Sequence, residues 1–461
     1  MRRMAGLIPL MIALVLIEKT AHSGRMAADP TTLFWWVAGT LGLWWLVCAG
    51  SSWLLAKLSA NSQAPTAAGV HTQRMHQLLA RWDMLVQTLA LGIFAWFCYY
   101  LGWSRFTAYY SLALAPWAVL QCIHWWCLAL PVRTLTGTRW TRWSFLSHQV
   151  RFSLLPLTIA LPVLDLCVLF ARRSGLEASP FFAQHMALIN ILGALLLALA
   201  LVGLLPWLLV RLWHASPMPA GPVHDDLVAA CLRAGVRVAG ILSWPVGGGR
   251  AYNAMVMGVL PRLRYVLFTA DLLRDFPREE RLAVLGHELG HARYRHLWIY
   301  LLFAAVTAIA SWLVREPLER VVDVVFQHVP AGFAVEPDLR AVVIALLLLG
   351  IQWRLLFGWL SRVCERQADL AGAELAGEGD QRQGAMAMQC ALGNVARLSG
   401  TDPRAPSWRH HSIAQRIDFL TLVADDQQVA VNHHRLVRRT VLGLLVCVLG
   451  LAVLAWMFRQ M

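Results

Sequence analysis

Charge is scarce in this chain, and its cysteines form no pattern. Asp, Glu, Lys and Arg together supply only 14% of the 461 residues, whereas 58% are hydrophobic and the mean hydropathy is +0.55. Ordinary soluble domains are about half apolar, so this balance excludes one and indicates a polytopic membrane protein. Of the nine cysteines, Cys48, Cys98, Cys122, Cys127, Cys167 and Cys447 fall inside apolar stretches, and Cys231, Cys364 and Cys390 are isolated. No spacing among them suggests a disulfide framework or a cysteine metal site. The short apolar stretch at 4–17 follows Arg2 and Arg3 and has no small-residue cleavage site before Glu18, so an uncleaved first span is expected.

Apolar stretches near 33–56, 84–103, 108–130, 152–170, 187–210, 298–314, 341–360 and 440–458 approach or reach bilayer length, which is roughly 20 helical residues. The formal charge of +14 might suggest nucleic acid, but the basic residues are spread through the loops between spans. If every segment crosses, Lys57, Arg74, Arg81, Arg133, Arg139, Arg142, Arg151, Arg435, Arg438 and Arg439 join Arg2 and Arg3 on one side. The opposite loops hold fewer: Lys19, Arg25, Arg105, Arg172, Arg173, Arg315 and Arg320. The positive-inside rule then makes the N-terminus and the region 211–297 cytoplasmic. Tryptophans such as Trp35, Trp36, Trp125, Trp126, Trp140 and Trp143 at span ends fit an interfacial belt or core packing.

Residues 1–211 hold no recognisable chemical motif. Gln121, His124, Asp165 and Asn190 lie inside apolar segments, where either a polar cavity or interhelical hydrogen bonding accounts for them. Pro217, Pro219, Gly221 and Pro222 read as a linker into a water-soluble region. There the pattern predicts a helix over 227–234, strands at 236–241, 253–258 and 265–269, a loop at Gly247 to Gly249, and a helical turn from Asp271. A longer helix starts near Pro277, with Glu279 and Glu280 at the positive end of its dipole and Leu282, Leu285 and Leu289 as its buried stripe.

That helix carries His287-Glu288-Leu289-Gly290-His291. Residues four apart share a face, so two imidazoles can reach one tetrahedral ion while Glu288 on the flank takes a proton from the attacking water. The helix is expected to run on through Arg293, Tyr294, Arg295, His296 and Trp298 into the next span, with His291 roughly 10 Å from the apolar stretch. His296, five residues beyond His291, is turned away from the pair on such a helix and reads as interfacial. Two segments of membrane length separate His291 from Glu365, an even number, so the chain returns to the same face five residues before Glu365. Glu365 and Asp369 are again four apart: metal-site residues, or with Arg362 and Arg366 a solvated charged face. Taken alone, His410 beside His411 reads as surface.

These residues resemble the integral-membrane zinc endopeptidases that include the type I CAAX prenyl proteases and the bacterial HtpX heat-shock proteases. The likeness rests on Asn253-Ala254, the pentad at 287–291, Ser361 through Asp369, and His410 through Arg416-Ile417, and it covers about 225–420. It implies that His287, His291 and Glu365 bind one Zn2+ per chain, Glu288 is the general base, and Asp369 orients a ligand histidine. His410 and Arg416 would contact the substrate carbonyl or its oxyanion, and Asn253 and Ala254 would bind substrate along an edge strand. Family members commonly have Pro where this chain has His411, so either His410 or His411 is the acting histidine.

The expected fold is a predominantly α-helical polytopic membrane protein, a transmembrane helix bundle carrying a cytoplasmic zincin-like α+β metallopeptidase domain. Its parts are a multi-span region at 1–211, the first peptidase half at 222–297, two transmembrane helices at 298–360, the second half at 361–425 and a last span at 440–458. The expected function is zinc-assisted hydrolysis of membrane-associated or unfolded proteins, with the bilayer as partner, no nucleic acid, and a cytoplasm-facing site in a bacterial inner membrane. A zinc-binding scaffold or transporter without turnover is the alternative. A sensor protease of the antirepressor type would need an extracellular ligand domain, for which the stretch after 458 is too short.

Overall fold

A computed structural model describes residues 29–61, 68–103, 109–174, 202–245, 251–326 and 351–460, with single positions at 13, 17, 344, 348 and 350. Apart from those single positions, the stretch at 4–17 lies outside the described residues, as do Asn190 with most of 187–210, the 247–249 loop and most of 341–350. The chain divides into two compact units, Met1–His214 with Pro245–Arg250, and Ala215–Trp244 with Ala251–Met461.

The first unit is built on three long apolar helices, α1 (Pro30–Asn61), α2 (Ala68–Tyr99) and α3 (Ala115–Thr136). Leu33, Trp44, Cys48, Val86, Ala90, Phe97, Leu120 and Cys127 form one buried cluster across them, and the Trp44 indole donates to the Leu120 carbonyl at 3.0 Å. Trp35, Trp36, Trp45, Leu46 and Trp53 face outward on α1. So broad an exposed apolar face is a liability in water and ordinary in lipid.

Two of the polar residues inside apolar segments, His124 and Asp165, have partners for their side chains. His124 Nε2 lies 2.8 Å from Asp83 Oδ1, and Asp165 accepts from the backbone N–H groups of Tyr110 and Ser111 at 2.6 and 3.0 Å.

The expected span at 152–170 is not one helix. After α4 (Arg142–Gln149) the chain makes a π-helical turn over Val150–Leu154, a short helix over Leu155–Thr158, and then α5 (Leu161–Arg173). Pro156 and Pro162 lack the N–H that would continue the ladder, and the 13 residues of α5 are too few to cross alone.

The second unit opens with β1 (Ser216–Pro217), which pairs antiparallel with β2 (Gly240–Trp244), so the proline-rich run is partly sheet edge. Between them lies α6 (Pro222–Arg233). The strand expected at 236–241 begins four residues later, because Gly235, left-handed at φ 69°, turns the chain out of α6 first.

β3 (Ala254–Met257) and β4 (Tyr265–Thr269) complete a sheet in the order β1-β2-β4-β3, with β2 and β4 parallel and β3 antiparallel to β4. β3 is thus an edge strand. After α7 (Ala270–Asp275) comes α8 (Arg278–Arg293), whose Leu282, Leu285 and Leu289 pack with Val266, Phe268, Leu272 and Phe276.

α8 does not run straight on. It stops at Arg293, Arg295 is left-handed at φ 56°, and α9 (His296–Phe326) leaves at a bend of 46°. The chain returns through a π-helical turn over Gln352–Phe357 into α10 (Gly358–Gly377), followed by α11 (Gln381–Leu398), α12 (Ile413–Asp425) and α13 (Gln427–Gln460). The last helix begins 13 residues before the apolar stretch at 440.

Among the described residues four helices are long and apolar enough to cross a membrane, in α1, α2, α3 and α13, and the bent pair α8–α9 makes up to five. The fold is that of a helical membrane protein.

Candidate metal centre

α8 and α10 meet through small residues. A Cβ at Gly286 would stand 2.8 Å from the Ala371 carbonyl oxygen, one at Gly290 2.8 Å from Ala371 Cβ, and one at Gly372 2.6 Å from the Ala283 carbonyl oxygen. Backbones this close let short side chains from both helices share one space. α11 locks the start of α8, where Asn394 Nδ2 donates to both oxygens of the buried Glu280 at 2.7 and 2.9 Å.

In that space His287 Nε2 and His291 Nε2 lie 3.4 Å apart. Glu365 Oε2 is 3.7 Å from the first and Oε1 is 3.7 Å from the second. Two donors each about 2.05 Å from a tetrahedral ion sit roughly 3.3 Å from one another, so the imidazole pair fits zinc. Among the described residues His287, His291 and Glu365 are the one group of three His, Cys, Asp or Glu side chains with ligand atoms within 4.8 Å of each other. Two neutral imidazoles and a carboxylate are a donor set that leaves a coordination position open for catalysis.

The ligand candidates are held from behind. Asp369, fully buried, accepts from His287 Nδ1 at 2.9 Å, which leaves Nε2 as the lone-pair nitrogen facing the centre. Arg416 grips the same carboxylate with two donors, one of them Nε on Oδ2 at 2.9 Å. Burial pulls the Asp369 carboxyl up, but the Arg416 guanidinium and the His287 imidazole together hold the group below the usual range. Arg416 therefore braces Asp369, and its guanidinium is engaged there.

His410 Nδ1 is 2.9 Å from Glu365 Oε2. The loop before it is pinned to α10 by Arg362, which donates to the Trp408 carbonyl at 2.6 Å, and ends in the Ser412–Gln415 capping box of α12. His411 is not in the cluster; burial and the charges of Arg366 and Arg362 hold its imidazole down to about 4.

Glu288 flanks the pair. Burial pushes its carboxyl up to about 7, and Oε2 accepts the Val256 N–H at 3.2 Å. In an antiparallel pair alternate residues turn their backbone groups outward. Thr269 N–H donates to the Asn253 carbonyl at 3.0 Å, so Asn253 faces β4, and Ala254 and Val256 present N–H and C=O to the open edge beside Glu288. Asn253 is bound a second time, through its N–H, to Thr269 Oγ1 at 3.1 Å.

His296 departs most from the sequence expectation. It is 1% exposed, and its Nδ1 lies 2.9 Å from His291 Nδ1. The break at Arg295 swings it toward the site, and a left-handed arginine has no sequence signal of the kind glycine gives. Gln367, Gly286 and Gly372 also escape sequence reading as site residues, although small residues four apart at 286 and 290 and again at 368 and 372 are a readable cue for helix contact.

With this geometry in view, residues 245–421 match Peptidase family M48. The chain resembles that family through this segment. A "Protease HtpX homolog" of Pyrobaculum aerophilum is 30% identical over 205 residues, 43% of this chain and 53% of that protein. A "CAAX prenyl protease 1 homolog" of Dictyostelium discoideum is 26% identical over 161 residues, 34% of this chain and 36% of its own length. The chain thus spans about a third to three fifths of the length of the curated relatives it matches. The crystal structure of S. mikatae Ste24p superposes with a TM-score of 0.50 at 14% identity, over 86% of this chain and 99% of that one. At that identity the likeness is one of fold, and it reaches well beyond the M48 segment.

Proposed function

We propose that this chain is a multi-pass membrane zinc endopeptidase. What carries the reading is the convergence of His287, His291 and Glu365 beside Glu288 and an open strand edge. His287 and His291 through Nε2, and Glu365 through its carboxylate, would hold the ion. Bound zinc supplies Lewis acidity, which polarises a scissile carbonyl and makes water nucleophilic at neutral pH.

Glu288 takes the proton from the attacking water and passes it to the leaving amine. An extended substrate pairs with the outward N–H and C=O groups of Ala254 and Val256, which reads little sequence. Such pairing replaces the Val256–Glu288 hydrogen bond and frees the carboxylate as substrate arrives. His410 steadies Glu365 through Nδ1. Arg416 acts through Asp369 on His287.

The break at Arg295 leaves the site five residues from an apolar helix, so segments of membrane-associated or unfolded proteins are the substrates in reach. The placing of basic residues in the sequence favours a cytoplasm-facing site, and a bacterial inner membrane is the location proposed. The test is cleavage of an unfolded protein by detergent-purified wild type and Glu288→Gln, with zinc measured in both. The variant should keep its zinc and lose about 10²–10⁴-fold in rate. Equal cleavage by both proteins removes Glu288 from the mechanism, and zinc retained with cleavage by neither favours a scaffold.

A further inference from the structure

Behind His291 runs a row of side chains that the hydrolytic scheme leaves unused. His291 Nδ1 faces His296 Nδ1 at 2.9 Å, His296 Nε2 faces Gln367 Oε1 at 3.0 Å, and Gln367 Nε2 faces His434 Nδ1 at 3.0 Å. His296 and Gln367 are buried, at 1% and 5% exposure, with no water-facing alternative for their polar atoms.

Each histidine and amide in the row has a donor and an acceptor end, so the choice at one end fixes every other. A ligand imidazole that offers Nε2 to a metal carries its proton on Nδ1. His291 Nδ1–H then donates to the His296 Nδ1 lone pair, His296 Nε2–H donates to Gln367 Oε1, and the Gln367 amide N–H donates to His434 Nδ1. With Gln367 Oε1 toward His296 this alternation is the consistent one, and the reverse, with the amide turned over, would place the proton on the His291 nitrogen that faces the centre.

The two ligand imidazoles are thereby held differently. His287 leans on a carboxylate braced by arginine; His291 leans on a neutral imidazole. His296 is not itself a ligand candidate, since its near nitrogen meets the back of His291 and not the space between the Nε2 atoms.

The backbone supports a built feature. Arg295 adopts the left-handed conformation at φ 56°, which costs a non-glycine residue on the order of 1 kcal/mol and persists only where its surroundings enforce it. That turn is what points His296 back at His291. A straight helix would carry a residue five positions on to another face.

We propose that His296 is a positioning residue that fixes the tautomer and ring orientation of His291 for metal binding, and that Gln367 and His434 extend this support to the apolar helix α13. The inference rests on the zinc reading of the site. It adds a dependence of metal affinity on residues of α9, α10 and α13 that touch neither metal nor substrate.

Zinc affinity of detergent-purified full-length protein, measured by competition with a chelator, tests it, together with the visible absorption spectrum of the cobalt-substituted protein. His296→Phe should weaken zinc binding about 10–100-fold, the usual effect of removing an outer partner of a ligand histidine, and should alter the cobalt bands. His296→Asn, whose side-chain oxygen can take the place of Nδ1 as acceptor, should restore affinity to within a few-fold. Gln367→Leu, which leaves His296 without its far partner, should lose several-fold.

Wild-type zinc affinity and cobalt spectrum in both His296→Phe and Gln367→Leu would overturn the proposal while leaving the zinc site standing. Asn as weak as Phe would overturn it too, since the acceptor would then not be what matters. Should His296→Phe not fold, the Asn and Leu variants decide the question. A wild type that binds no stoichiometric zinc sinks the site reading first, and the positioning role with it.

Discussion

Each unit of this molecule contains a buried histidine held by an aspartate, and the two pairs are almost identical in length. His124 meets Asp83 at 2.8 Å among the apolar helices of the first unit, and His287 meets Asp369 at 2.9 Å in the second. Among the described residues the first pair belongs to no cluster of three His, Cys, Asp or Glu ligand atoms. The second turns its free nitrogen toward His291 and Glu365 and is braced by Arg416. A buried His–Asp pair is therefore no mark of a metal site, since membrane helices use one to satisfy polar groups. Convergence of free donor atoms from separate helices marks it.

The comparison breaks most sharply at Glu365. Glu365→Ala removes a ligand donated by a second helix, and bound zinc and proteolysis should both fall to background, whereas His124→Leu should leave zinc content unchanged. Metal analysis of the two variants decides this, and zinc lost from His124→Leu would make the two pairs functionally alike. Asp369→Asn is the next largest. It keeps the shape but weakens the acceptor behind His287, so zinc affinity should drop about 10–100-fold, against no measurable change for Asp83→Asn.

The smallest effect is on stability. Glu288 is raised by burial to about 7, so in metal-free protein its protonated form is the one the fold prefers. That contribution is complete below the unfolded value of about 4.3 and is lost as pH climbs through 7. Glu288→Gln, unable to ionise, should stabilise chelator-treated protein by about 1–3 kcal/mol at pH 8 and by nothing at pH 4. Thermal midpoints at the two pH values measure it; a pH-independent difference would remove charge burial as the cause.

Much of this site is legible in the sequence. The four-residue spacings of His287 with His291 and of Glu365 with Asp369, and the short apolar run that makes 253–258 read as a strand, are local patterns that survive packing. His296 was not legible. Its placement depends on a left-handed Arg295, and the sequence there reads as continuing helix because nothing in Arg293-Tyr294-Arg295 announces a break. The break in the helix at 152–170 is readable in the sequence: Pro156 and Pro162 interrupt an otherwise apolar stretch. Arg416, expected at the substrate, is engaged by Asp369, a choice that only three-dimensional proximity could reveal.

Zinc K-edge absorption of the purified protein tests the central claim most directly, because it reads the ligands themselves. The account predicts a first shell of nitrogen and oxygen at about 2.0–2.1 Å with the scattering of two imidazoles, lost in Glu365→Ala. A sulfur shell near 2.3 Å, or a spectrum unchanged by Glu365→Ala, would contradict it.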